Sequence, residues 1–132
     1  MSGLTPGAAL EPRQYTVTRA DLVRYAEASG DHNPIHQDEQ VAASVGLPGV
    51  IAHGMYTLAL AARAVADWTA GAEVVDLGCK FTNPVVVPAE GGATVVVAGT
   101  VKAVDDGLAT LALEVTCEGQ KVLGMPKAVV RA

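Results

Sequence analysis

Apolar and polar residues alternate along much of the second half of the chain. Val75, Leu77, Cys79 and Phe81 are separated by Asp76, Gly78 and Lys80, and Ala109, Leu111, Leu113, Val115 and Cys117 alternate in part with Thr110, Glu114 and Thr116. A period of two puts one set of side chains on each face of a strand, so both runs predict strands with an apolar side turned to a core. Residues 94–104 form a β-branched run and predict another strand. A last run, residues 121–130, is interrupted by Pro126, which marks an edge or a bulge because proline cannot donate to a strand ladder. Short turn signals, "DDG" at 105–107 and "EGQ" at 118–120, separate these runs and predict a hairpin-connected antiparallel meander.

The first half reads differently. Before residue 18 the chain is loop-like, with Pro6, Gly7 and Pro12 and one short strand at residues 14–17. Over residues 19–29, Leu22, Val23, Ala26 and Ala28 recur at helical spacing, Thr18 is placed as N-cap, Asp21 sits in the first turn and Gly30 stops the helix. Residues 30–52 contain Gly30, Pro34, Gly46, Pro48 and Gly49 and predict an irregular excursion with a short helix at 38–44. Then comes "HGMYTLALAARAVADWTAG", apolar on nearly every side, which predicts a buried helix. At a rise of 1.5 Å per residue such a helix runs for roughly 24 Å. A long buried helix followed by an antiparallel sheet means α+β, with the sheet curled around the helix.

Composition narrows the classes. The 132 residues are expected to form a single domain, 1–132, and 50% hydrophobic with 17% charged residues is the balance of a folded globular chain. A net charge of −5 without a Lys/Arg-rich run leaves no electrostatic footprint for nucleic acid. The start, "MSGLTPGAALEPRQY", lacks the pattern of a signal peptide, and no apolar stretch nears the roughly 20 residues of a membrane span, so a soluble cytoplasmic protein is expected. Cys79 and Cys117 are far apart, without CxxC spacing, and are expected to be buried inert thiols rather than a disulfide or a zinc site.

Candidate chemistry is concentrated in "SGDHNPIH", Ser29 to His36. Asp31 and His36 lie five residues apart around Pro34, so only a loop can bring them together. One reading is a polar turn, with Asp31 and Asn33 bonding to nearby backbone and His36 in solvent. The other pairs a carboxylate with an imidazole, two groups able to divide donor and acceptor roles near neutral pH, as proton abstraction beside a carbonyl requires. That chemistry needs a donor for the enolate oxygen, and "AHGM" places the N–H of Gly54 at a helix N-terminus, with no side chain to obstruct a substrate.

"YAEASGDHNPIH" followed at a short interval by "GLPGVIAHGMYTLAL" resembles the hydratase signature of the MaoC-like family of (R)-specific enoyl-thioester hydratases and dehydratases. Residues 25–60 carry this resemblance. "CKFTNPVVVPAEG" resembles the family's next strand and turn more weakly, with Pro88-Ala89-Glu90 where Pro-Gly-Asp is typical. The resemblance implies a hot-dog fold, Asp31 and His36 as the catalytic pair, Gly54 as the oxyanion-binding N–H, and Asn33 in support. It implies reversible hydration of trans-2-enoyl thioesters, equivalently dehydration of (3R)-hydroxyacyl thioesters, in fatty acid metabolism.

No metal and no cofactor are expected, since coenzyme A or acyl carrier protein arrives as part of the substrate. Within the family the likeness is nearest to the catalytic B subunit of actinobacterial (3R)-hydroxyacyl-carrier-protein dehydratases, which works beside a related non-catalytic subunit. A heterodimer with such a subunit, or a homodimer, is therefore expected. A hot-dog thioesterase and a non-catalytic acyl-binding subunit remain alternatives, because a fold does not determine a function. His53 is expected to fix the loop, His32 to be solvated, and Tyr56 and Thr57 either to line an acyl channel or to pack under the sheet.

Overall fold

The computed structural model describes residues 4–132. Its elements run β1 (Ala9–Val17), α1 (Arg19–Ser29), a 3₁₀ turn (Pro34–His36), α2 (Glu39–Ser44), α3 (Gly54–Thr69), β2 (Val74–Phe81), β3 (Ala93–Asp105), β4 (Leu108–Cys117), β5 (Gln120–Lys121) and β6 (Leu123–Arg131). The strands form one antiparallel sheet in the order β1-β3-β4-β6-β2, with β5 paired to β4. This is the α+β, hot-dog arrangement in which a curved sheet packs on α3.

The meander follows its turn signals. Asp105 pairs with Leu108 across Asp106 and Gly107, and Cys117 pairs with Gln120 across Glu118 and Gly119. All four turn residues have positive φ, the two-residue hairpin conformation whose twist matches that of the strands. Pro126 sits where β6 slips by one residue against β2, beside Met125 at φ 45°, so the proline occupies a bulge as expected.

The inward faces of β3, β4 and β6 supply Val95, Val97, Val101, Leu111, Val115, Ala128 and Val130, all at 0% exposure, against Ala61, Ala64 and Val65 of α3. Burial of such side chains at roughly 1.5–3 kcal/mol each is the main force holding helix to sheet.

Several expectations are corrected. β1 starts at Ala9, earlier than residue 14: it is an edge strand with its register broken between Leu10 and Arg13, where Pro12 costs no ladder bond. α3 is buried on one side only; Thr57, Leu60, Ala61, Ala64 and Val65 face the sheet, while Met55, Ala59, Arg63, Ala66 and Asp67 are exposed. The sheet curls past one side of the helix and leaves the other uncovered. The alternating β2 is likewise the sheet's other edge, with Val74, Val75 and Phe81 at 39%, 40% and 57% exposure. Cys117 is buried but Cys79, on β2, is half-buried; burial pushes both thiols up. On α1, Leu22 and Ala26 are buried, but Val23 and Ala28 are exposed. No helix among the described residues is long and apolar enough to cross a membrane.

Candidate active site

Three successive local bonds shape the segment between α1 and the 3₁₀ turn. Ser29 Oγ accepts the N–H of Asp31, an Asp31 carboxylate oxygen accepts that of Asn33, and the Asn33 amide oxygen accepts that of Ile35, each at 3.2 Å. These are turns made by short polar side chains on their own backbone. Asn33 thus acts as the cap of the 3₁₀ turn, with Pro34 at its first position, and does not line the cleft. Its place supports a loop-orienting role rather than contact with water in the site.

The turn delivers His36 inward, to 7% exposure. Its Nδ1 lies 2.7 Å from the Ile51 carbonyl, which can only accept, so Nδ1 carries the hydrogen and Nε2 keeps its lone pair. Ile51 is itself anchored: its N–H donates to Ile35, and its neighbours Val50 and Ala52 exchange backbone bonds with Val87 and Val85. Arg19 braces the excursion by donating to the Val87 carbonyl at 2.9 Å and to Glu39 on α2 at 2.8 Å.

Gly54 opens α3. A first-turn N–H has no partner within its own helix, and the N-cap His53 makes no capping bond with its side chain. A Cβ on Gly54 would stand 2.9 Å from the Phe81 ring, so only glycine leaves the helix start and that ring in place. Asp31, His36, Gly54, Thr57, Phe81 and Leu123 all border one cleft of about 580 Å³. Asp31 is exposed to solvent at its mouth, and Thr57, 3% exposed, lies at its wall. Tyr56 instead packs edge-on to Tyr25, with ring centroids 5.2 Å apart. His32 is exposed, as expected.

His53 is 1% exposed and stacks on His36 with ring centroids 3.8 Å apart and planes 23° apart. Its Nε2 lies 3.1 Å from the Asp31 carbonyl and so carries the hydrogen; its buried Nδ1 has no partner. Burial pushes its imidazolium below the ordinary value, and charge on His36 pushes the same way, against the opposing pull of Asp31. This stack was not foreseeable from residues 17 apart. Tyr25 and the 82–85 segment also border the cleft; both lie in the quoted motif stretches, but neither was singled out as a site candidate.

An acid, an imidazole of fixed tautomer and a helix-start glycine thus converge on one cleft of an α+β hot-dog domain. Residues 2–126 match the model of the MaoC like domain, and the chain belongs to that family. It is 43% identical over 77 residues to the 3-hydroxyacyl-thioester dehydratase X of Mycobacterium tuberculosis, an alignment covering 58% of this chain and 26% of that protein. The chain therefore spans about a quarter of that relative. A solved MaoC-like dehydratase superposes with a TM-score of 0.93 at 34% identity, over 98% of this chain and 41% of the other. The R-hydratase PhaJ1 of Pseudomonas aeruginosa gives 0.87 at 27% identity, over 99% of this chain and 83% of its own.

Proposed function

We propose that the chain is a hydro-lyase that adds water reversibly across trans-2-enoyl thioesters to give (3R)-hydroxyacyl thioesters. The observation that carries this reading is the convergence of Asp31, His36 and the uncapped Gly54 N–H on one cleft. In dehydration the Asp31 carboxylate takes the α-proton while protonated His36 gives its Nε2 proton to the departing 3-hydroxyl, which leaves as water. The α C–H electron pair passes into the thioester carbonyl, and the Gly54 N–H holds that oxygen as charge develops. Hydration is the reverse: His36 takes a proton from water as it adds at carbon three, and protonated Asp31 protonates carbon two.

The thioester acidifies the α-carbon, so the reading needs no resident metal or redox group. Asp31, His36 and His53 do offer donor atoms within 4.8 Å of one another. Face-to-face stacking, however, sets the in-plane lone pairs of the two rings side by side rather than aiming them at one ion. Coenzyme A or a carrier protein is the proposed carrier of the acyl group. The open β2 edge, with Val74, Val75 and Phe81 exposed, supports a second hot-dog subunit, either another copy or a related chain.

The test is hydration of crotonyl-coenzyme A, followed as loss of enoyl absorbance. In deuterated water, groups from one short loop should deliver water and proton to the same face, giving syn addition and a 3R alcohol. An S alcohol, anti addition, or release of free thiol in place of hydration would overturn the reading.

A further inference from the structure

We propose that His53 is a positioning residue: a neutral imidazole that holds the Asp31 main chain through its Nε2–H and holds the His36 ring, by stacking, in the orientation that the proton relay uses. The proposal rests on the hydro-lyase reading for its kinetic consequence, but its geometry stands apart from it.

Two backbone carbonyls dictate complementary tautomers. Ile51 fixes the hydrogen of His36 on Nδ1, and Asp31 fixes the hydrogen of His53 on Nε2. The first leaves a lone pair on the nitrogen free to exchange protons with substrate. The second leaves a lone pair on Nδ1, buried and without a partner, so a proton added there would find no acceptor. The groups packed around His53 are Tyr25 of α1 edge-on at 4.8 Å, Asp31 through its carbonyl, and His36 across the stack at 3.8 Å. When His36 carries its proton during turnover, a second cation in ring contact with it is excluded by repulsion, so His53 stays neutral while its neighbour cycles.

His53 does not border the cleft, so its removal is felt through its neighbours. Its bond to the Asp31 carbonyl joins the start of α3, which carries Gly54, to the loop that carries the acid. One side chain therefore sets the distance between the oxyanion donor and the proton-transferring pair. A misplacement of about 1 Å at such a site can cost on the order of 10² in rate.

Two substitutions separate the two roles. His53→Phe keeps a stacking ring and removes the donor; His53→Gln places an amide N–H near the lost Nε2–H. His53→Phe should lower kcat for crotonyl-coenzyme A about tenfold to a hundredfold with KM changed less than about threefold, and His53→Gln, which keeps a donor near Asp31 but loses the stack, should recover part of that loss. Equal losses in both variants, or a kcat loss that merely tracks a fall in melting temperature, would mean a structural role and overturn the proposal. Wild-type protein gives a readout that needs neither folding of a variant nor activity. Nitrogen-15 spectra of the histidine rings near neutral pH should show His53 as a neutral ring with its hydrogen on Nε2 and His36 as a ring with its hydrogen on Nδ1. A protonated or Nδ1–H His53 near neutrality refutes the assignment. If the spectra hold and the wild type hydrates no enoyl thioester, the reaction assigned to the site fails and the geometry of His53 does not.

Discussion

α1 and α3 differ at their first turns. At α1, Thr18 Oγ1 accepts the N–H of Asp21 at 3.2 Å and the Asp21 carboxylate accepts the N–H of Thr18 at 2.8 Å, a reciprocal capping box. At α3 the residue in the same position is His53, whose ring turns away to Asp31 and leaves the turn uncapped. Both starts carry the partial positive charge of a helix N-terminus. The first spends it on its own chain and is a structural device. The second leaves it open toward the cleft, where the proposed mechanism uses it for the thioester oxygen. Absence of a cap is thus as informative as its presence, because a capping side chain would occupy the place that the proposed mechanism assigns to the thioester oxygen.

The sharpest way to break the open site is to remove the groups it serves. Asp31→Asn and His36→Ala should each lower hydration by about 10² to 10⁴, since a proton relay without one member loses a general acid–base step. Folded variants with near-normal rates would place the chemistry elsewhere. Gly54→Ala should come next: its methyl meets the Phe81 ring at 2.9 Å, so the first turn or the ring must shift. A loss of about tenfold or more is expected, short of the 10² to 10³ seen when an oxyanion donor is removed outright. Because the clash is with a side chain, the double variant Gly54→Ala, Phe81→Ala should be more active than Gly54→Ala alone. Equal rates for the two would show that Phe81 is not what constrains this position.

The capped helix should respond in stability and not in rate. Thr18→Ala removes the acceptor for Asp21 and should cost about 1 kcal/mol in chemical denaturation, with the hydration rate of the folded enzyme unchanged. A fall in kcat would mean that α1 communicates with the site more closely than its caps indicate.

The smallest effects are those of pH, and the two helix starts differ here also. The Asp21 carboxyl is held below its ordinary value, first by the Thr18 backbone N–H and also by Arg24, so its contribution is present above about pH 3.8 and is lost as pH falls through its lower folded-state value. Burial lowers the His53 value as well, and the unfolded chain then binds the proton more readily than the folded one. Its contribution is complete above about pH 6.5 and declines as pH drops from there toward the folded-state value. Melting temperature should therefore fall in two separate windows. His53→Gln should abolish the decline that begins near pH 6.5 and leave the acid one.

The sequence by itself determined the elements whose signals are local. Thr18, Asp21 and Gly30 bound α1 because caps act within one turn. Asp106 with Gly107 and Glu118 with Gly119 place both hairpin turns because two residues suffice to reverse a strand. Asp31, His36 and Gly54 were readable as candidates because their chemistry and motif spacing are properties of the chain. Tertiary structure decided what depends on neighbours. Periodicity reports which face of β2 or α3 is apolar and not whether anything covers it, so Phe81 and Met55 proved exposed where a buried strand and helix were expected. Pro12 suggested a loop and stands in a strand, because only the sheet order makes β1 an edge. The stack of His53 on His36, and with it the tautomer of each ring, depends on carbonyls contributed by Asp31 and Ile51. Residues that far apart meet only through tertiary contacts, and no local pattern encodes those.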